Sequence, residues 1–109
     1  RMTAGTPYYM SPEAARGEPI LDIQSDMYSF GATLFHALTG AVPFEGDTEE
    51  EVMRALQRRT PVPPLALNKE LSEETSNFVL RLLEKNPEQR FPLSEFLLAL
   101  RHLPALHQH

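Results

Sequence analysis

The chain contains no cysteine. A disulfide framework and a thiolate metal site are both excluded, and the redox compartment is left open. Positive charge is also scarce: ten Lys and Arg stand against fifteen Asp and Glu, for a net charge of −5. With no basic patch denser than Arg58-Arg59, a nucleic-acid partner is not expected, and that pair reads as a solvated helix end. Long apolar runs are missing too. None approaches the roughly 20 residues that span a bilayer, and nothing resembles a signal peptide, so the segment is read as cytoplasmic and without membrane contact. No convincing period-two alternation occurs anywhere, so strands are not expected.

What is present is the composition of a globular piece. Of 109 residues, 41% are hydrophobic and 23% charged, which allows one small domain or part of one, with a buried core. The chain opens on Arg1 rather than Met, and the expectation is a segment cut from something longer.

The stretch GTPYYMSPE, Gly5 to Glu13, carries two prolines, each of which fixes its own φ and presses the preceding residue toward an extended conformation. It is a shaped loop. Pro12 to Arg16 can make a short helical turn closed by Gly17, and Gly17 to Leu21 reads as loop. From Ser25 to Gly40, apolar residues cover nearly the whole circumference of a helix, the pattern of a buried one. Gly40 ends it and Pro43 prevents resumption. Thr48-x-x-Glu51 is a capping-box pattern that opens a surface helix running to about Arg59, with Val52, Met53 and Leu56 as its apolar stripe. TPVPPLALNKEL reads as loop. Ser72 starts a helix whose Phe78, Val79, Leu82 and Leu83 face the core before Asn86-Pro87 breaks it, and a last helix runs from Ser94 to about Leu103. The expected class is all-α, with about five helices.

No self-contained active site emerges from these residues. His36 has no second His or carboxylate one turn away and reads as a packed or partly exposed side chain. His107-x-His109 reads as a tail, and Glu49-Glu50-Glu51 as helix capping. Ser11, Ser25 and Ser29 lack a recognisable triad arrangement. No metal site is expected.

Four motifs nevertheless stand in register: GTPYYMSPE, DIQSDMYSFG from Asp22 to Gly31, PFEG from Pro43 to Gly46, and LLEKNPEQRF from Leu82 to Phe91. In that order and spacing the chain closely resembles the C-terminal lobe of the eukaryotic-type Ser/Thr protein kinases, bacterial members included, over nearly its whole length. The A-P-E element of that family appears here as Ser11-Pro12-Glu13. The resemblance implies an activation-segment end over residues 1–13, a helical lower lobe over 14–104, and an N-terminal lobe lying outside this chain.

It also implies roles. Thr6 matches the threonine that bonds the catalytic-loop aspartate and lysine. Pro7, Tyr8, Tyr9 and Met10 match the segment that cups the substrate residue after the phosphoacceptor. Glu13 and Arg90 match a structural ion pair, and an Arg fork on a carboxylate fixes direction as well as distance. Asp26 matches an aspartate that accepts bonds from the catalytic-loop backbone. Thr3 is a candidate phosphosite, at an offset from Thr6 that is not the commonest one.

The departures bear on chemistry. The sequence has no Gly-rich loop, V-A-I-K lysine, H-R-D loop or D-F-G, the parts that hold ATP and Mg²⁺ and position the accepting hydroxyl. The resemblance therefore implies a parent that transfers the ATP γ-phosphoryl to protein Ser or Thr, and a segment that by itself binds substrate but neither ATP nor Mg²⁺. A non-catalytic pseudokinase or scaffold is the alternative. Leu93 stands where a Ser or Thr cap is common, and Ser94 is expected to take over.

Overall fold

The structure is a computed structural model and describes residues 7–18 and 22–103. Its elements, in order, are α1 (Pro12–Ala15), α2 (Ile23–Thr39), α3 (Glu49–Arg58), α4 (Pro64–Leu67), α5 (Glu73–Leu82), a 3₁₀ turn (Pro87–Gln89) and α6 (Leu93–His102). Among the described residues there is no strand. The expected all-α class holds.

Helix α2 is the spine. It begins at Ile23, two residues before the expected Ser25, because Asp22 is the N-cap and its Oδ1 accepts the Ser25 amide at 3.2 Å. At the other end Gly40 takes φ 79°, a left-handed conformation natural to glycine, and its amide closes on the His36 carbonyl at 2.8 Å. Met27, Tyr28, Ala32, Leu34 and Phe35 bury one side of α2 against Phe78, Val79, Leu82 and Leu83 of the α5 region, with Phe91 and Leu103 completing the core. The two helices approach closely at Gly31, where a Cβ would lie 2.6 Å from the Leu82 Cβ.

Within the described residues α2 is covered on only part of its circumference. Ile23 is 47% and Phe30 37% exposed, and Leu93 and Leu97 of α6 are exposed as well. Phe30 meets Phe96 in an edge-to-face arrangement, with ring centroids 5.8 Å apart.

A second, smaller cluster lies under α3. Phe44, Val52, Ala55 and Leu56 are buried there, with Tyr8, Met10 and Ala15 packed against them. This stripe is shifted from the expected one, since Ala55 joins it while Met53 is only half-buried. Thr48 caps the helix by accepting the Glu51 amide at 3.1 Å. The Glu51 carboxylate reaches one residue further back than a regular capping box, to the Asp47 amide at 2.6 Å.

Two other boundaries differ from expectation. Pro63-Pro64 does not hold the whole connection open: Pro63 is extended, but Pro64 sits at the first helical position, where its missing N–H costs nothing, and α4 follows. The last helix starts at Leu93, not after Ser94; Pro92 is its N-cap and supplies a carbonyl to the Phe96 amide, while no side chain caps it. Helix α5 closes at Leu83, and Asn86 then caps the 3₁₀ turn rather than merely ending a helix.

Candidate functional site

Ser11 opens α1. Its Oγ accepts the Ala14 amide at 3.2 Å and donates to Ser25 Oγ at 3.3 Å. Ser25 Oγ in turn donates to Glu13 Oε2 at 2.6 Å. The serine of the Ser11-Pro12-Glu13 element therefore does two things at once: it caps a helix and ties that helix to the first turn of α2.

Glu13 and Arg90 meet as the sequence suggests. Arg90 Nη1 donates to Glu13 Oε2 at 2.8 Å and Nη2 to Oε1 at 3.0 Å, a two-point contact between side chains 5% and 0% exposed. The remaining guanidinium hydrogens go to the carbonyls of Gln24, Glu84 and Lys85, and the Tyr28 ring lies 5.1 Å away. Every direction of the fork is used, which is what permits a buried arginine. Burial pushes the Glu13 carboxyl up, but hydrogen bonds from Arg90, Ser25 and its own amide, with the Arg90 charge, outweigh it and hold the group below its ordinary value. Burial pushes the Tyr28 hydroxyl up, well above the usual phenol range.

The segment Pro7–Met10 runs between this anchor and the α3 cluster. Pro7 is buried, Tyr8 and Met10 are half-buried against the α3 cluster, and Tyr9 turns outward at 37% exposure. Its backbone is pinned by Ser29 Oγ, which donates to the Tyr9 carbonyl at 2.7 Å. Its hydroxyl shares a 2.8 Å hydrogen bond with His36 Nδ1, and the two rings stack with centroids 6.2 Å apart. Sequence reasoning treated His36 as a lone packed or partly exposed histidine. It is exposed, and nothing local could have revealed its partner 27 positions away.

Thr3 and Thr6 lie outside the described residues. Asp26 is exposed in the first turn of α2, and its carboxylate makes no hydrogen bond to a described residue. It borders a shallow cleft of about 270 Å³ formed with Ile23, Met27, Phe30, Phe96 and Leu100. Lys85, which the sequence did not single out, has its ammonium 4.2 Å from the Phe44 ring centroid and buried without a hydrogen-bond partner among the described residues. Burial lowers it to about 8, the nearby Arg90 charge acting the same way and Glu84 opposing.

Among the described residues no three His, Cys, Asp or Glu side chains gather where they could hold a metal ion, and no helix is long and apolar enough to cross a membrane. The arrangement is suited to presenting an ordered backbone and an aromatic surface to a partner.

Comparison with known proteins gives this surface a family. The sequence model of the protein kinase domain matches residues 1–100. The Ser/Thr-protein kinase PksC of Streptomyces coelicolor is 43% identical over 94 residues, 86% of this chain and 17% of that protein. PknB of Mycobacterium tuberculosis, also a Ser/Thr-protein kinase, is 45% identical over 87 residues, 80% of this chain and 14% of that protein. Among solved structures, the twitchin kinase region from C. elegans matches with a TM-score of 0.78 and 29% identity, over 99% of this chain and 18% of that one. The chain thus spans less than a fifth of the length of these relatives. With two Ser/Thr kinases similar over four-fifths or more of its residues, and the protein kinase domain model matching residues 1–100, this chain belongs to the protein kinase domain family.

Proposed function

We propose that this segment is the protein-substrate platform of a Ser/Thr protein kinase, and that the longer chain it serves transfers the ATP γ-phosphoryl to Ser or Thr hydroxyls of proteins. The observation that carries the reading is the fixation of Pro7–Met10 from both sides. The Glu13–Arg90 contact holds the end of the loop, and Ser29 and His36 hold its middle. A loop ordered beforehand loses less entropy when a peptide settles on it.

In this reading Pro7, Tyr8, Tyr9 and Met10 receive the residue after the phosphoacceptor. Thr6 positions the accepting hydroxyl, Thr3 is a regulatory phosphosite, and the free carboxylate of Asp26 accepts backbone donors of the catalytic loop. In this reading the described residues take no part in holding Mg²⁺ or ATP. Their work is confined to binding and orienting the protein substrate, with nucleotide held by an N-terminal lobe.

The test is phosphoryl transfer by the longer chain to a mixed protein substrate, followed by identification of the modified residue. Phosphoserine or phosphothreonine is expected, with turnover cut by Thr6→Ala at unchanged thermal stability. A folded longer chain that transfers nothing would instead favour a non-catalytic scaffold, and phosphotyrosine alone would refute the Ser/Thr assignment.

A further inference from the structure

The chain has two lysines, and they stand in opposite surroundings. Lys69 is exposed on the connection before α5, whereas the Lys85 ammonium, just after that helix, is buried and makes no hydrogen bond to a described residue. Its contact is the Phe44 ring, 4.2 Å from nitrogen to centroid. An aromatic face attracts a cation but offers no lone pair, so the ring holds the side chain without satisfying its three donors. Lys85 also lines, with Thr60, Pro61, Pro63, Leu80 and Leu83, a cleft of about 350 Å³. Of the charged groups around the amine, Glu84 favours the ammonium and Arg90 disfavours it; burial outweighs both and brings the pKa to about 8. Near that pH about half of the chains carry the neutral amine, which is a nucleophile.

Burial limits what that nucleophile can meet. Acyl phosphates and thioesters are bulky or charged and need an accessible nitrogen. Carbon dioxide is uncharged, linear and three atoms long, so it enters between apolar walls, and the cleft has ample room for the atoms it adds. We infer that Lys85 is a modification site for carbon dioxide, its Nζ forming a reversible carbamate housed in the Thr60–Pro63–Leu83 cleft. The nitrogen lone pair bonds to carbon, one C=O electron pair moves onto oxygen, and the amine releases one proton to solvent; nothing is oxidised or reduced. Thr60 brings a hydroxyl that donates to a carbamate oxygen, and the Arg90 charge that opposes the ammonium favours the anion. The Phe44 ring acts the other way, because its face repels an anion. Phe44 belongs to the cluster against which Tyr8 and Met10 pack, so a carbon dioxide-responsive charge lies beneath the loop. The assignment stands whether or not that loop holds a substrate.

The experiment exposes the longer chain to ¹³C-labelled carbon dioxide at a pH of about 8, fixes any carbamate as its ester with a trialkyloxonium reagent, and locates the label by peptide mass spectrometry. The parent protein alone decides, with Lys69 as the internal comparison. Label at Lys85 is expected to exceed that at Lys69 at least tenfold, and to fall at least tenfold when the pH is lowered by about one at the same dissolved carbon dioxide, since both the neutral amine and the released proton count against it. Lys85→Arg keeps the positive charge, has no neutral amine, and should carry no label at that position. Phe44→Leu, which removes the face that stabilises only the ammonium, should raise the label. No label at Lys85, or label no greater than at Lys69, overturns the inference. So does label at Lys85 that survives removal of carbon dioxide before trapping, which would be a different, irreversible acylation.

Discussion

The Glu13 carboxylate and the Arg90 guanidinium, 77 positions apart, share two hydrogen bonds inside the protein, at 2.8 and 3.0 Å. This contact joins the end of the Pro7–Met10 loop to the far end of the chain, and three backbone carbonyls complete the arginine's shell. Removing either partner leaves the other buried and uncompensated. Glu13→Gln or Arg90→Met alone should each cost about 3–5 kcal/mol, and the double variant should cost less than their sum. Denaturant melts of the four proteins check this, and strict additivity would mean that the contact contributes no coupling.

The same pair sets an acid limit. Glu13 has its carboxyl pKa lowered in the folded chain, so its contribution is fully present above the ordinary carboxylate value and is lost as pH falls through the lower folded value. Stability measured on the acid side should fall less steeply in Glu13→Gln than in the parent protein. Identical acid slopes would show that Glu13 is not the group responsible.

Lys85 works in the opposite direction. Its ammonium is buried without a hydrogen-bond partner among the described residues, and burial lowers its pKa to about 8. Between there and the ordinary lysine value the unfolded chain holds more protons than the folded one, so stability rises with pH in that window. Lys85→Met should flatten the rise and leave the protein more stable near neutrality. Unfolding curves from pH 7.5 to pH 10.5 read this, on the interval from about 8 to the ordinary value. A flat parent profile would show that the ammonium is solvated.

α2 and α5 approach each other closely at Gly31. A methyl group there would sit 2.6 Å from the Leu82 Cβ, an atom fixed to the α5 backbone that cannot swing away. Gly31→Ala should therefore destabilise by about 1–3 kcal/mol through overpacking. Adding Leu82→Ala should not rescue it, because the Cβ remains. An unchanged melting temperature in Gly31→Ala would show that the helices separate freely.

The exposed apolar side chains of α2 and α6 predict how the 109-residue chain behaves alone. Ile23, Phe30, Leu93 and Leu97 are each more than a third exposed, and covering such side chains is worth up to about 1.5–3 kcal/mol apiece. The isolated chain should associate as its concentration rises, and Phe30→Ser with Leu97→Ser should suppress it. Sedimentation velocity over a hundredfold range of concentration decides; a monomer throughout would contradict the expectation.

How far the sequence reveals this structure depends on the reach of each interaction. The capping of α3 by Thr48 and of α5 by Ser72, the glycine stop at Gly40 and the core residues Phe78 to Leu83 are local or periodic, and they read correctly. The start of α2 misleads because Ser25, a good cap by type, is held by Glu13 and Ser11 from an earlier segment, which leaves the capping to Asp22. The turn at α4 is hidden because a proline at a first helical position looks, locally, like a proline in a loop. Glu13 and Arg90 were paired by family pattern, which carries long-range information. Tyr9 and His36 had no such guide, and the open side of α2 could not be told from a buried one by hydrophobicity alone.

The central claim is that a protein substrate rests on Pro7–Met10. Hydrogen exchange of the longer chain, with and without a saturating Ser-containing peptide, tests it most directly, since it reads the backbone without altering any residue. The account predicts slower exchange at the amides of Tyr8, Tyr9 and Met10 when peptide is bound, with the α4 region, Pro64–Leu67, unchanged. Protection confined to other elements, with Tyr8 to Met10 unaffected, would contradict it.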